Sequence, residues 1–201
     1  MTRAIERIRA VTQQLHDELE QLPHARAMLD GSLSIVRYTS YLRALHIVHQ
    51  ALELASGRAD DEVMRLVHER ARQRRSDLER DLVALESDPR EVDAQSLIAR
   101  SIAGRIQHAG DADSAHLLGY AYVLEGSQLG GLVQCRALEA RPELRRGGLL
   151  YLFGAGAETR ARFVRFLACL EAALTNEARI ERAAEGAVAA FEGFSELFQS
   201  A

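Results

Sequence analysis

The feature that most restricts this chain is the stretch 117–134, LLGYAYVLEGSQLGGLVQ. It is apolar along its length, as a buried helix is, yet it holds Gly119, Gly126, Gly130 and Gly131. A glycine inside a helix costs roughly 1 kcal/mol relative to alanine, so a cluster of them requires a compensating gain. Gly119, Gly126 and Gly130 are spaced by seven and four and fall on one helix face. Two gains fit such a face. A second helix can pack against it at close range through its small residues, or a flat ligand can lie against main chain bare of side chains. Glycine clusters are also recognised kink sites, so the helix is expected to bend.

The rest of the chain places this helix in an all-helical protein. Pro23, Pro89 and Pro142 are the only prolines, and all fall at expected helix boundaries. Alternating strand patterns are absent, and apolar residues recur at helical spacing nearly throughout. The spacing predicts a first helix over 2–22 and a short one ending at Asp30 and Gly31. A third helix is expected over 34–56, and a fourth opens at Asp60 and Asp61. The charged run 69–75, ERARQRR, reads as a solvated face, with apolar spacing resuming at Leu78, Leu82 and Leu85. A helix over 92–108 ends in a GDAD turn, from which Asp113 or Ser114 caps the glycine helix. A short helix lies between glycine pairs in 145–156, followed by helices over 158–174 and 177–199. No linker divides the 201 residues, so 1–201 is read as a single-domain multi-helix bundle.

Composition excludes several classes. The net charge is -4, which argues against a nucleic-acid partner, and every basic residue is arginine. Cys135 and Cys169 form no CxxC pair and lie in apolar helical runs, so they read as core rather than as a disulfide or zinc site. No window approaches the length of a membrane span, and the amphipathic N-terminus has no apolar signal core. The expected setting is the cytoplasm.

Chemistry is expected near His16. Arg9, Thr12 and His16 share one edge of the first helix, since seven residues make nearly two turns. Neutral imidazole is a good iron ligand, and an arginine two turns away suits an anionic group on whatever the imidazole holds. A flat iron cofactor with carboxylate tails needs an axial histidine, main chain close to its other face, and arginines. This chain contains all three.

These residues carry a family resemblance. IRAVTQQLHDELE resembles the proximal helix of heme oxygenases, and YVLEGSQLGG looks like their distal helix, especially in bacterial members. GSLSIVRYTSYLRALHIVHQALE is similar to the family's third helix, and ARFVRFLACLE resembles the helix at the heme edge. The resemblance covers nearly the whole chain in matching order.

The resemblance implies a heme oxygenase-like fold and the cleavage of heme to biliverdin, carbon monoxide and ferrous iron. Heme is then both substrate and cofactor, with O2 and electrons from an external reductant. It makes His16 the proximal iron ligand and puts Gly126 and Gly130 over the distal face. Arg9 matches a basic position facing a propionate, with Thr12 beside it. Arg162 and Arg165 are both candidates for the basic edge, and Tyr120 or Tyr122 stands for a tyrosine near the distal helix. Where animal enzymes have an aspartate after the first distal glycine, this chain has Ser127, which alters proton delivery. The implied donor is a ferredoxin or flavodoxin with its reductase, and a phytochrome is a candidate recipient of biliverdin.

Other readings stay open at this point. A heme carrier or sensor would use the same His16 and glycine face without turnover. His46, His49 and Glu53 share a helix face and offer ligands for a non-heme dinuclear oxidase, although no second Glu-x-x-His pair completes it. A thiaminase-like helical protein would require a reactive cysteine.

Overall fold

Helix starts follow the caps that the sequence supplies. In the computed structural model, which describes residues 3–58, 61–144 and 146–200, the side chains of Ser34, Asp61, Asp93, Asp113 and Asn176 each accept an N–H from the first turn of the helix that follows. The elements are α1 (Arg3–Gln21), α2 (Pro23–Leu29), α3 (Ile35–Ser56), α4 (Glu62–Ala84), α5 (Ala94–Ala112), α6 (Ser114–Leu138), α7 (Leu150–Phe153), α8 (Thr159–Ala173) and α9 (Glu177–Gln199). Short 3-10 turns cover Pro142–Leu144 and Gly156–Glu158, and no strand occurs among the described residues. The architecture is all-α, as expected. Thr2 and Asp60, expected at helix starts, and Arg145 of the glycine-flanked segment lie outside the described residues.

α9 supports both walls of the later site. α1 lies along it, tied by Arg7 Nε to Glu181 at 2.8 Å. α6 crosses it at Gly119, where an added Cβ would stand 2.1 Å from the Ala183 carbonyl oxygen. α5 reaches it through Gln95, whose Nε2 donates to the Leu197 carbonyl at 3.3 Å. On the other side α3 packs between α4 and α5. Ile8, Tyr38, Leu42, Met64, Leu78 and Phe166 are fully enclosed in the shared core. Each such side chain contributes roughly 2 kcal/mol of transfer free energy.

Two expectations change. The run 69–75 is a solvated face only at Glu69, Arg72 and Gln73; its other positions turn inward. Ala71 and Arg74 are buried, Arg70 pairs with Glu125 and lies 5.6 Å over the Phe166 ring, and Arg75 Nε donates to Glu53 at 2.6 Å. Positions 70, 71, 74, 75 and 78 share the inward face of one uninterrupted α4, and the guanidinium groups find carboxylates there. The GDAD tetrapeptide is helical except for its last residue. α5 runs on through Ala112, and glycine is needed at Gly110 because a Cβ there would stand 2.7 Å from that of Ala55. Asp113 alone separates α5 from α6 and caps the latter, accepting the Ala115 N–H at 2.9 Å.

His46, His49 and Glu53 do not converge. His46 faces Glu79 at 3.1 Å, His49 meets Tyr151 at 3.0 Å, and Glu53 binds Arg75. Among the described residues no cluster of His, Cys, Asp and Glu is placed to hold a metal ion. No helix among them is long and apolar enough to cross a membrane.

Candidate ligand-binding site

Beyond the crossing at Gly119, α6 and α9 leave a cavity of about 560 Å3, a volume suited to a small-molecule ligand. α1 forms one wall and α6 another, and α9 contributes Phe191, Phe194 and Phe198.

From α1 the cavity receives Arg9, Thr12 and His16, the edge expected from their spacing. Thr12 is buried and its hydroxyl donates to the Ile8 carbonyl at 2.9 Å, which fixes it against its own helix. The His16 side chain is half-exposed at the cavity rim. Its Nε2 stands 3.6 Å from Glu20 and its Nδ1 3.7 Å from Asp17. Both distances exceed a normal hydrogen bond, so neither carboxylate sequesters the imidazole. The Phe191 ring meets it edge-on at 5.9 Å.

From α6 comes bare main chain. A Cβ on Gly130 would meet nothing within 4 Å, and one on Gly126 would only touch the Phe163 ring at 3.6 Å. Both residues line the cavity. Gly119 and Gly131 serve the other purpose: a Cβ on Gly131 would stand 2.9 Å from the Leu152 carbonyl oxygen. The glycine helix therefore does both things its sequence allowed, packing at some positions and clearing space at others. Ser127 lines the cavity with its hydroxyl donated to the Leu124 carbonyl at 2.8 Å.

The remaining expected residues divide. Tyr122 lines the cavity, with its ring 6.3 Å from Phe163. Tyr120 does not; it is buried beside His116. Two residues along a helix turn the side chain by about 200°, so only one of the pair can face the cavity. Arg162 and Arg165 do not line it. Arg162 borders a small neighbouring cleft, where its Nη1 lies 3.4 Å from Gln73, and Arg165 is exposed. Phe163, Phe166 and Leu170 occupy the inward face of α8, which turns both arginines aside. Arg9 and Glu20 are then the only arginine and carboxylate among the described lining residues.

Sequence reasoning missed Tyr151, Gln128 and the three phenylalanines of α9 as site residues. Tyr151 reaches the cavity because Asp81, fully buried on α4, accepts the N–H groups of Leu150 and Tyr151 at 2.9 and 2.8 Å. An aspartate set inside the apolar stripe of Leu78 and Leu82 was the available indication that a distant loop docks there. The phenylalanines read simply as core, since nothing in their spacing distinguishes a cavity wall from a packed interior.

The thiols stay out of this chemistry. Cys135 is buried and burial raises its pKa, and neither it nor Cys169 lines the cavity.

Comparison with known proteins follows the same geometry. The heme oxygenase family profile matches residues 2–200. No curated protein matches the chain significantly by sequence. Among solved structures, heme oxygenase-1 of the cyanobacterium Synechocystis in complex with heme is similar, with TM-score 0.84 and 18% identity over 98% of this chain and 90% of that one. The heme oxygenase of Leptospira interrogans has TM-score 0.83 and 17% identity, with both chains wholly covered. A TenA homologue from P. horikoshii is more distant, with TM-score 0.69 and 13% identity over 99% of this chain and 97% of that one. Likeness at these identities establishes the fold, which extends beyond heme oxygenases. The match of sequence over nearly the entire length decides the family: this chain belongs to the heme oxygenases.

Proposed function

We propose that this protein is an active heme oxygenase of bacterial type, which converts heme to biliverdin, carbon monoxide and ferrous iron with O2 and electrons from an external reductant. One observation carries the reading. A single cavity has the imidazole of His16 on one helix and the side-chain-free main chain of Gly126 and Gly130 on another.

The residues present fit a heme. Its flat apolar body suits walls of phenylalanine, and the bare positions on α6 are a cradle that larger side chains would fill. His16 would ligate the iron, and Arg9 is the cation on the same wall for a propionate. Heme supplies the redox-active iron and is itself the carbon skeleton that is cut. The protein's part is to seat the ring, exclude bulk water and leave room above it. Gly126 and Gly130 do the last, because a large side chain at either position would compete with a small molecule bound there. Ser127 stands where animal enzymes have a carboxylate; its hydroxyl is neutral and already donated to Leu124. The donor of protons in this chain therefore differs. A ferredoxin or flavodoxin with its reductase is the proposed electron source, and a phytochrome the proposed user of biliverdin.

A heme carrier on the same fold is the competing reading. Purified protein is mixed with equimolar hemin, and its absorption spectrum is recorded before and after adding a reductant in air. A histidine-type Soret band that then gives way to a green bilin supports the oxygenase. Heme recovered intact makes the protein a carrier, and no Soret shift at all ends both readings.

A further inference from the structure

The wall behind the glycine helix contains a polar pair that the resemblance does not supply. Tyr151 lines the cavity and His49 lies beneath it, with Tyr151 Oη and His49 Nε2 3.0 Å apart. Both are almost completely buried. His49 Nδ1 is also buried and has no protein partner.

That last fact selects a tautomer. If Nδ1 carried the proton, an N–H donor would be stranded in the core. If Nε2 carries it, only an acceptor lone pair goes unused. Stranded donors are the rarer case in folded proteins, and leaving a buried group unpaired costs its full desolvation. The proton therefore sits on Nε2 and is donated to the Tyr151 oxygen. Burial, together with Arg74 and His46, pushes the His49 pKa down to about 3, which keeps the ring neutral. Burial likewise pushes the Tyr151 phenol up to about 12, so it keeps its own proton.

With one lone pair occupied by His49, the phenol O–H is free to point elsewhere. Ser127 and Gln128, both cavity residues of α6, are the side chains beside it. Ser127 has donated its own proton to Leu124, and Gln128 Oε1 has no protein partner, so Gln128 meets the phenol through its amide N–H end. Donors thus approach the phenol oxygen from His49 and from the Gln128 amide, which leaves the phenol's own proton to be given to a third group. Asp81 clamps the main chain at Leu150 and Tyr151, and His49 holds the phenol oxygen.

We infer that Tyr151 is the hydrogen-bond donor presented to a small ligand at the glycine face, and that His49 is the positioning residue that makes it a donor. In this chain a phenol backed by a neutral imidazole does the work for which Ser127 is too weakly placed. The inference rests on the heme-site reading above, but part of it is decided without heme.

Nitrogen NMR of the heme-free protein distinguishes the two tautomers of His49, and protonated Nε2 is expected; protonated Nδ1 would overturn the assignment. In the ferric hemin complex, fluoride is the probe, because it binds iron and takes hydrogen bonds strongly. Tyr151→Phe should weaken fluoride binding about tenfold, the value of one hydrogen bond, as measured on protein saturated with hemin. His49→Gln should retain fluoride binding, since an amide N–H can replace the imidazole donor, whereas His49→Leu should lose it. Fluoride affinity unaffected by Tyr151→Phe would refute the donor role. A wild-type protein that takes up no hemin would instead sink the heme-site reading and with it the ligand role of Tyr151; the tautomer would still decide how His49 orients the phenol.

Discussion

Gly119 of α6 and Gly186 of α9 occupy one helix crossing, and each has the other helix's main chain where a side chain would stand. An added Cβ would lie 2.1 Å from the Ala183 carbonyl oxygen at Gly119, and 2.0 Å from the His116 carbonyl oxygen at Gly186. Neither neighbour is a flexible side chain that can move aside. Gly119→Ala should therefore destabilise the protein by about 3 kcal/mol or more, despite alanine's better helix propensity. Urea denaturation measures this, and a neutral or stabilising effect would contradict the crossing.

At Gly130 the sign reverses. The position is helical and a Cβ there meets nothing within 4 Å. Gly130→Ala should stabilise the ligand-free protein by about 0.5–1 kcal/mol through the unfolded chain's lost freedom. Larger side chains use up cavity space, so Gly126→Leu should impair oxygen chemistry more than hemin binding. Equal losses of both would show that Gly126→Leu misfolds the protein.

His16→Ala should abolish the histidine-ligated spectrum of the hemin complex or weaken it severely. The half-exposed imidazole makes little core contact, so the substitution should change the denaturation midpoint by no more than a surface change does, within about 0.5 kcal/mol. A wild-type spectrum in the variant would remove His16 as the iron ligand.

Acid should weaken the fold through His24. Its ring is buried between Tyr41 at 5.1 Å and Phe198 at 4.6 Å, and neither nitrogen has a protein partner. Burial, with a smaller push from Arg37, lowers its pKa from 6.5 to about 4. Above pH 6.5 the ring is neutral folded or unfolded and contributes nothing to pH dependence. As pH falls toward 4, the unfolded chain takes up a proton that the folded one refuses, and stability drops. By pH 5 the loss should be about 2 kcal/mol at ~1.4 kcal/mol per pKa unit. His49, depressed to about 3, acts in the same direction. His24→Phe should therefore gain stability relative to wild type between pH 7 and pH 5, as read from urea midpoints at each pH. The same difference at both would show that His24 takes up its proton equally in the two states.

The sequence alone determined the helical class, most helix boundaries and the edge formed by Arg9, Thr12 and His16. These depend on local spacing and on caps such as Asp93 and Asn176, which act within a turn of where they stand. It also marked α6 as unusual, because its glycines are unfavourable in any helix.

Tertiary structure decided which glycine does what. Gly119 and Gly130 lie on one helix face and look alike in sequence, but α9 touches α6 at the first and has diverged from it at the second. The same holds for side chains whose direction depends on a neighbour. Tyr122 was separated from Tyr120, both arginines of α8 were turned from the cavity, and Arg74 was buried, by contacts with elements far along the chain. Tyr151 and His49 are 102 residues apart and meet because Asp81 holds the intervening loop. Periodicity specifies which residues share a face. Only the packing of helices fixes whether that face meets protein or open space.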